Sequence, residues 1–266
     1  MIPRKVVIRG AGDLATGVAH RLKNSGFKII MLELEKPLVV RSTVSFATAL
    51  YKGSIVVENV RAELCPKPEL IEQYLAQNIL PVLVDPEAEL LKLHQAPILI
   101  DAIMSKHNTL TTIDQANLVI GLGPGFIAGK DVHAVVETQR GHNLGRVLHS
   151  GSAEKDTASP AVIAGYGRER LLRAPASGVF KPLKEIGSLV KAGDPVARVG
   201  NTDIYSEIDG MVRGMLHQDL DVCAGMKVGD IDPRGSEVNC YAISDKARAI
   251  GGGVLEAIMN RYFYQV

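Results

Sequence analysis

Between Ala174 and Ile231 the chain repeats itself at an offset of 32 residues, and this repeat limits the fold more than any single motif does. Ala176-Ser177-Gly178-Val179 aligns with Ile208-Asp209-Gly210-Met211, and Val190-Lys191-Ala192-Gly193 with Val222-Cys223-Ala224-Gly225. Val196 and Val199 align with Val228 and Ile231. Each copy reads as short strands around glycine turns. Two such copies closing on each other bury faces that neither could bury alone, so the segment is expected to form one small all-β module.

The N-terminal half has a different order. Lys5–Arg9 reads as a buried strand, followed at once by Gly10-Ala11-Gly12-Asp13-Leu14-Ala15. Leu14, Val18, Ala19 and Leu22 then fall at helical spacing, Gly26 ends the helix, and Phe27–Leu32 forms a second strand closed by Glu33. Strand, G-x-G-x-x-A turn, helix, strand and acid is the dinucleotide-binding order. Gly10 permits the tight turn, Gly12 lets a ligand approach the backbone, and Glu33 could accept from a ribose diol. Asp13 either caps the helix or sets a charge against a bound anion. Thr16, one turn into the helix, completes this candidate set.

Helices are expected at Phe46–Tyr51, Pro68–Gln77 and Pro86–His94, and further strands at Ser54–Val57, Pro81–Val84, Pro97–Ile100 and Asn117–Ile120. Strands alternating with helices predict a mostly parallel sheet with its ligands beyond the carboxyl ends of the strands. Asp85 and Asp101 end two strands there, where helix capping is the plain alternative. Gly121, Gly123 and Gly125 form a second glycine loop, either an anion nest or a tight turn. His133 to His149 reads as two strands about a polar turn, with Arg140 and Arg146 as candidates for holding an acidic ligand. The spacing of His133, His142 and His149 is no standard zinc pattern, and no metal site or catalytic residue is assigned. Gly151–Pro160 looks like a mobile loop. Asp230, Asp232 and Arg234 form either an ion-pair network or a capped turn.

The expected fold class is therefore α/β: a Rossmann-like, mostly parallel sheet over 1–130, a connecting β segment and loop over 131–170, a small β module over 171–240 and a C-terminal helix over 241–266. The repeat resembles the biotinyl/lipoyl-type barrel-sandwich module. The tip between its halves, Gly200 to Glu207, carries no lysine, so covalent carriage is not expected. Gly251, Gly252 and Gly253 inside the last helix are costly unless it packs closely on another backbone.

Net charge is +1, which leaves no electrostatic footprint for nucleic acid or an anionic membrane. Cys65, Cys223 and Cys240 are widely spaced and read as reduced thiols, and no apolar run reaches the roughly 18 residues of a membrane span. The N-terminus does not read as a signal peptide, so a cytoplasmic protein is expected. Homo-oligomerisation stays open.

The stretches IRGAGDLATG, IGLGPGF, HAVVETQRGHNLGR, GDIDPRG and SDKARAIGGGVLEAI resemble the YqeB family, and more distantly the XdhC-type factors. The pattern departs at Val40-Arg41-Ser42, where a second arginine is expected. The resemblance implies an accessory role beside a selenium-dependent molybdenum hydroxylase. A molybdopterin-type cofactor or nucleotide would then sit at Gly10, Gly12 and the Gly121–Gly125 loop, with the β module against the apo-hydroxylase. An NAD(P)-dependent oxidoreductase, with Glu33 selecting NAD, and a non-catalytic adaptor with a vestigial nucleotide site are the alternatives.

Overall fold

The structure, a computed structural model, describes residues 3–93, 96–105, 107–108, 110–155, 160 and 162–263. Residues 156–159 of the expected mobile loop lie outside them, as do His94 and Tyr264 at the ends of two expected helices. The chain divides into two compact units. The first takes Met1–Pro37, Ser45–Asp156 and Ile243–Val266, and the second Leu38–Val44 and Thr157–Ala242. The expected connecting segment is thus shared between both, and the last helix belongs to the first.

The first unit opens with β1 (Lys5–Arg9), α1 (Asp13–Asn24) and β2 (Lys28–Glu33), then β3 (Ser54–Val57) and β4 (Val60–Leu64). The short helices α2 (Ala49–Lys52), α3 (Ile71–Ala76) and α4 (Leu90–Leu93) fall among β5 (Leu80–Val84), β6 (Ile98–Asp101), β7 (Leu118–Leu122), β8 (Ala134–Val136) and β9 (Val147–Leu148). All nine strands form one sheet in the order β3-β4-β5-β2-β1-β6-β7-β8-β9. Val6 to Ile8 and every residue of β6 and β7 are buried, which is why these stretches read as continuous apolar runs rather than alternating ones. α1 ends in a Schellman turn: Phe27 N–H donates to the Leu22 carbonyl at 3.1 Å and Gly26 N–H to that of Lys23 at 3.0 Å, with Gly26 at φ +89°.

α5 (Asp245–Phe263) packs on α1, and two of its three glycines have a tertiary reason. A Cβ on Gly251 would lie 2.9 Å from the Gly17 carbonyl oxygen, and one on Gly253 would overlap the Gly145 carbonyl oxygen. Gly252 meets nothing within 4 Å. Gly253→Ala is expected to destabilise the protein by about 1–3 kcal/mol, because a backbone oxygen cannot rotate away. Gly252→Ala is expected to be neutral or to gain up to about 1 kcal/mol of helix propensity. Urea unfolding of the two variants checks the contrast.

The second unit holds β10 (Leu171–Arg173), β11 (Gly178–Pro182), β12 (Leu189–Val190), β13 (Pro195–Val199), β14 (Thr202–Tyr205), β15 (Gly210–Met215), β16 (Asp221–Val222) and β17 (Lys227–Asp232). They form two four-stranded sheets, β10-β17-β15-β12 and β14-β13-β11-β16, in which every pairing is antiparallel. A shift of 32 positions carries β11, β12 and β13 onto β15, β16 and β17, and so one sheet onto the other. Each sheet draws strands from both copies, so neither copy can close without its partner. Phe180, Val196, Val199, Val212, Val228 and Ile231 form the shared core.

The fold expected from the sequence is corrected here. The large sheet is mixed: β3 and β9 run antiparallel to β4 and β8 and close its two ends. β4 adds a further parallel strand outside β5, beyond the six-strand order β5-β2-β1-β6-β7-β8 that the dinucleotide-binding fold has. Among the described residues β6 and β7 are joined through a single 3₁₀ turn, Ile113–Gln115, and β7 and β8 without a helix, so the helical layers of a doubly wound fold are incomplete. The remainder is a pair of antiparallel sheets, into which Leu38–Val44 also packs, rather than a small biotinyl/lipoyl-like module set off at 171–240.

Candidate functional site

In the first unit the chain runs from β1 to one side of the sheet and then, with β6, to the other. The strand order reverses between β1 and β6, and the residues ending these two strands are Arg9 and Asp101, directly paired in register. Both are buried. Arg9 Nη1 donates to Asp101 Oδ2 at 3.2 Å and to Thr111 Oγ1 at 2.6 Å, and its Nη2 donates to the Pro86 carbonyl at 3.3 Å. Thr111 Oγ1 donates in turn to Asp101 Oδ2 at 2.5 Å. Burial pushes the Asp101 carboxyl above the usual range, against the lowering pull of these hydrogen bonds and of the Arg9 charge. Asp101 is therefore a member of a buried ionic network rather than a helix cap. Asp85 does cap, its two oxygens accepting from Glu89 N–H and Leu90 N–H at 2.9 Å each.

The first glycine turn is engaged by the chain's own groups. A Cβ at Gly10 would lie 2.9 Å from the Ala102 carbonyl oxygen. Gly12 is the helix N-cap and Asp13 follows it inside the first turn, making no capping hydrogen bond. Glu33 Oε2 accepts from Ala11 N–H and its Oε1 from Leu34 N–H, both at 2.8 Å. Burial raises the Glu33 carboxyl above its ordinary value in spite of these two bonds. Ala47 N–H donates to the Ala11 carbonyl at 2.9 Å, and Phe46 N–H to Thr16 Oγ1 at 2.8 Å. The buried turn Phe46–Thr48 thus lies on the segment where a pyrophosphate was expected. Tyr51, next along, donates to the Pro37 carbonyl at 2.8 Å, and burial together with the Glu33 charge pushes its hydroxyl up to about 12.

The second glycine loop is close-packed. A Cβ at Gly121 would lie 2.5 Å from the Phe126 ring, one at Gly123 2.6 Å from Thr138 Oγ1, and one at Gly125 3.0 Å from the His107 backbone. Arg140 forms a bidentate pair with Asp245, at 2.7 and 2.8 Å, and Arg146 is exposed. His133 Nδ1 accepts from Val119 N–H at 3.0 Å. Among the described residues no group of three or more His, Cys, Asp or Glu is placed to hold a metal ion.

The second unit brings together a set of charges that the sequence scatters. Asp230 and Asp232 lie buried on β17. Arg170 stands 3.6 Å from Asp230, Arg213 3.7 Å from each aspartate, and Lys227 3.8 Å from Asp230. Arg234 makes true hydrogen bonds to Asp232, from Nε at 2.9 Å and Nη2 at 2.8 Å. Burial acts to raise Asp232, but the hydrogen bonds and charges of Arg234, with Arg213, outweigh it and hold the carboxyl below its ordinary value. Arg41 forms an isolated backbone bridge with Met215 on β15. Gly214 makes room here: a Cβ would overlap Asp230 Oδ1 and lie 2.5 Å from Val40. Cys240 sits beside it, 3.4 Å from Met211 Sδ, and burial pushes its thiol up. Asp232 and Arg234 were visible as a motif. Arg170 and Arg213 were not, because strand pairing rather than spacing unites them with the aspartates.

Fold and site together describe a two-unit protein, mixed α/β and antiparallel β, with a buried ion pair at the strand-order reversal and an arginine-rich sheet face. The chain is 50% identical over 254 residues, 96% of its length, to the Escherichia coli K12 protein whose curated name is "Uncharacterized protein YqeB". It spans 47% of that relative's length. This supports the resemblance to the YqeB family and shows no link to a selenium-dependent molybdenum hydroxylase. No family model matches. Among solved structures, an aspartoacylase family protein from Mesorhizobium loti is 9% identical with a TM-score of 0.28, covering 87% of this chain and 85% of its own. A succinylglutamate desuccinylase from a Silicibacter species is 11% identical with a TM-score of 0.26, covering 86% and 85%.

The expected role in maturing a molybdenum hydroxylase is corrected on the crevice it relied on. The geometry supplies the physical reason. The crevice that was to hold a molybdopterin-type or nucleotide cofactor has its turn bonded to Phe46 and Ala47, and Glu33, meant for a ribose, has both oxygens on backbone N–H groups. The NAD(P) oxidoreductase alternative relied on the same crevice. Among the described residues no helix is long and apolar enough to cross a membrane.

Proposed function

We propose that the protein binds a small anion, a carboxylate or phosphate group, on the arginine-rich face of its second unit. Arg213 is the observation that carries this reading. Its side chain is only 19% exposed, yet it makes no hydrogen bond among the described residues and stands 3.7 Å from both aspartates. A guanidinium offers five donors in a fixed fork suited to planar or tetrahedral oxyanions. Arg170, Arg213, Lys227 and Arg234 all approach these two carboxylates. Partial burial strengthens the pull of the Arg213 charge on a further anion over that at an open surface.

Calorimetric titration with inorganic phosphate and with succinate tests this. Binding of either, weakened about tenfold or more in Arg213→Gln and reduced by added salt, is the expected result. A purely structural network predicts otherwise: Arg213→Gln would lower the melting temperature while the anions bound neither protein.

A further inference from the structure

The second unit contains a cleft of about 750 Å³ that shares no residue with the arginine-rich face. Its position follows from the repeat. Leu171, Leu172, Arg173 and Pro175 line one side, and Asp203, Ile204, Tyr205 and Glu207, each 32 positions later, line the other. β10 and β14, the equivalent edge strands of the two sheets, thus both line it. The floor pair, Leu172 and Ile204, is apolar and buried in both copies. The other equivalent positions are not alike: Leu171 corresponds to Asp203, Arg173 to Tyr205 and Pro175 to Glu207. Arg168 and Glu169 add to the first wall.

The groups already engaged can be separated from those open to a ligand. Asp203 holds Arg198 through two contacts at 2.5 and 3.2 Å, Glu169 accepts from Gly167 N–H at 2.8 Å, and Arg173 donates to the Gly225 carbonyl at 2.7 Å. Arg168, Tyr205 and Glu207 are exposed, and their side chains make no hydrogen bond among the described residues. An apolar floor thus lies among an exposed guanidinium, whose charge also acts on Glu169, an exposed carboxylate and an exposed phenol. The volume is within the range of small-molecule sites, roughly 300–1,000 Å³.

We propose that this cleft binds a zwitterion of amino-acid type, a free amino acid or short peptide. Its carboxylate meets Arg168, its ammonium meets Glu207, and its apolar body lies on Leu172 and Ile204 beside the Tyr205 ring. A lone anion would gain nothing from Glu207, and a lone cation nothing from Arg168.

The test follows the Tyr205 ring resonances, assigned with Tyr205→Phe, in the whole chain. The probes are leucine, leucyl-leucine, N-acetyl-leucine, which lacks the ammonium, and leucine amide, which lacks the carboxylate. Saturable shifts with leucine or leucyl-leucine, about tenfold weaker with both blocked forms and in Arg168→Gln and Glu207→Gln, are expected. The better of the two zwitterions reports whether the site is built for a residue or a peptide. Binding must persist in Arg213→Gln, which separates this cleft from the anion face. The proposal is overturned if neither zwitterion shifts Tyr205 at about 10 mM, well above the usual micromolar-to-millimolar range. It is equally overturned if N-acetyl-leucine binds as well as leucine, or if Arg168→Gln and Glu207→Gln bind as the wild type does. Both substitutions are at exposed positions, so unchanged melting curves confirm that the variants are folded.

Discussion

Arg9→Met is expected to lower stability by about 3–5 kcal/mol, because it leaves the Asp101 carboxylate buried without its cation. Asp101 is 1% exposed and already sits above the usual carboxylate range through burial. Removing the Arg9 charge removes one of the influences holding it down, so its native value rises further. A carboxyl whose native pKa exceeds its unfolded one binds more protons when folded, so its contribution to stability is present at low pH and lost as pH rises through the native value. The deficit of Arg9→Met should therefore be larger near neutrality and shrink on acidification. Arg9→Met combined with Asp101→Leu should recover most of the loss, since an apolar pair of similar volume has no uncompensated charge. Urea unfolding of the single and double variants at two pH values checks all three statements. A double variant no better than the single one would mean that Thr111 and the Pro86 carbonyl, not the charges, hold these loops together.

Glu137→Ala is the second large effect. Glu137 is 2% exposed, and its carboxylate accepts three backbone N–H groups: Thr138 and Gln139 on Oε1 and Glu154 on Oε2, each at 2.7 Å. It gathers the start of the turn after β8 and the segment following β9. Each buried N–H left without an acceptor costs roughly 1–3 kcal/mol, so a total of about 3–5 kcal/mol is expected after partial rehydration. Glu137→Gln keeps one acceptor oxygen and should lose less than half as much. Thermal melts rank the three proteins. Hydrogen exchange at Glu154 N–H reports whether the loss is local, and equal melting of Glu137→Ala and wild type would refute the assignment.

Several features were readable along the chain. The strand-turn-helix-strand run from Lys5 to Glu33 shows itself because residues a few positions apart share one face or one turn. The glycines of α5 announced a close backbone approach, since three of them in a helix interior have no local advantage. The 32-residue repeat was visible because both copies keep apolar residues at the same offsets, and those offsets became the two sheets.

Other features were not readable. β4 escaped notice because Val60–Leu64 is a short, partly exposed strand beside the edge. The mixed order of the large sheet depends on which strands pair, and pairing leaves no mark on local periodicity. Glu33 matched its motif in sequence, but its carboxylate turned to Ala11 N–H instead of a ligand. Phe46 to Thr48, thirty residues beyond the first glycine turn, closed over it.

The sequence by itself determined the composition of the two parts, the places of the main turns and the twofold plan of the β sheets. These arise from contacts between near neighbours and from a periodic pattern. Only the tertiary structure decided which charged groups meet. Arg170 and Arg213 reach Asp230 because β17 pairs with β10 on one side and β15 on the other. Arg9 reaches Asp101 because β1 and β6, ninety residues apart, align in register. Burial of the whole core selects those pairings, and the ionic groups take the neighbours that the pairing brings.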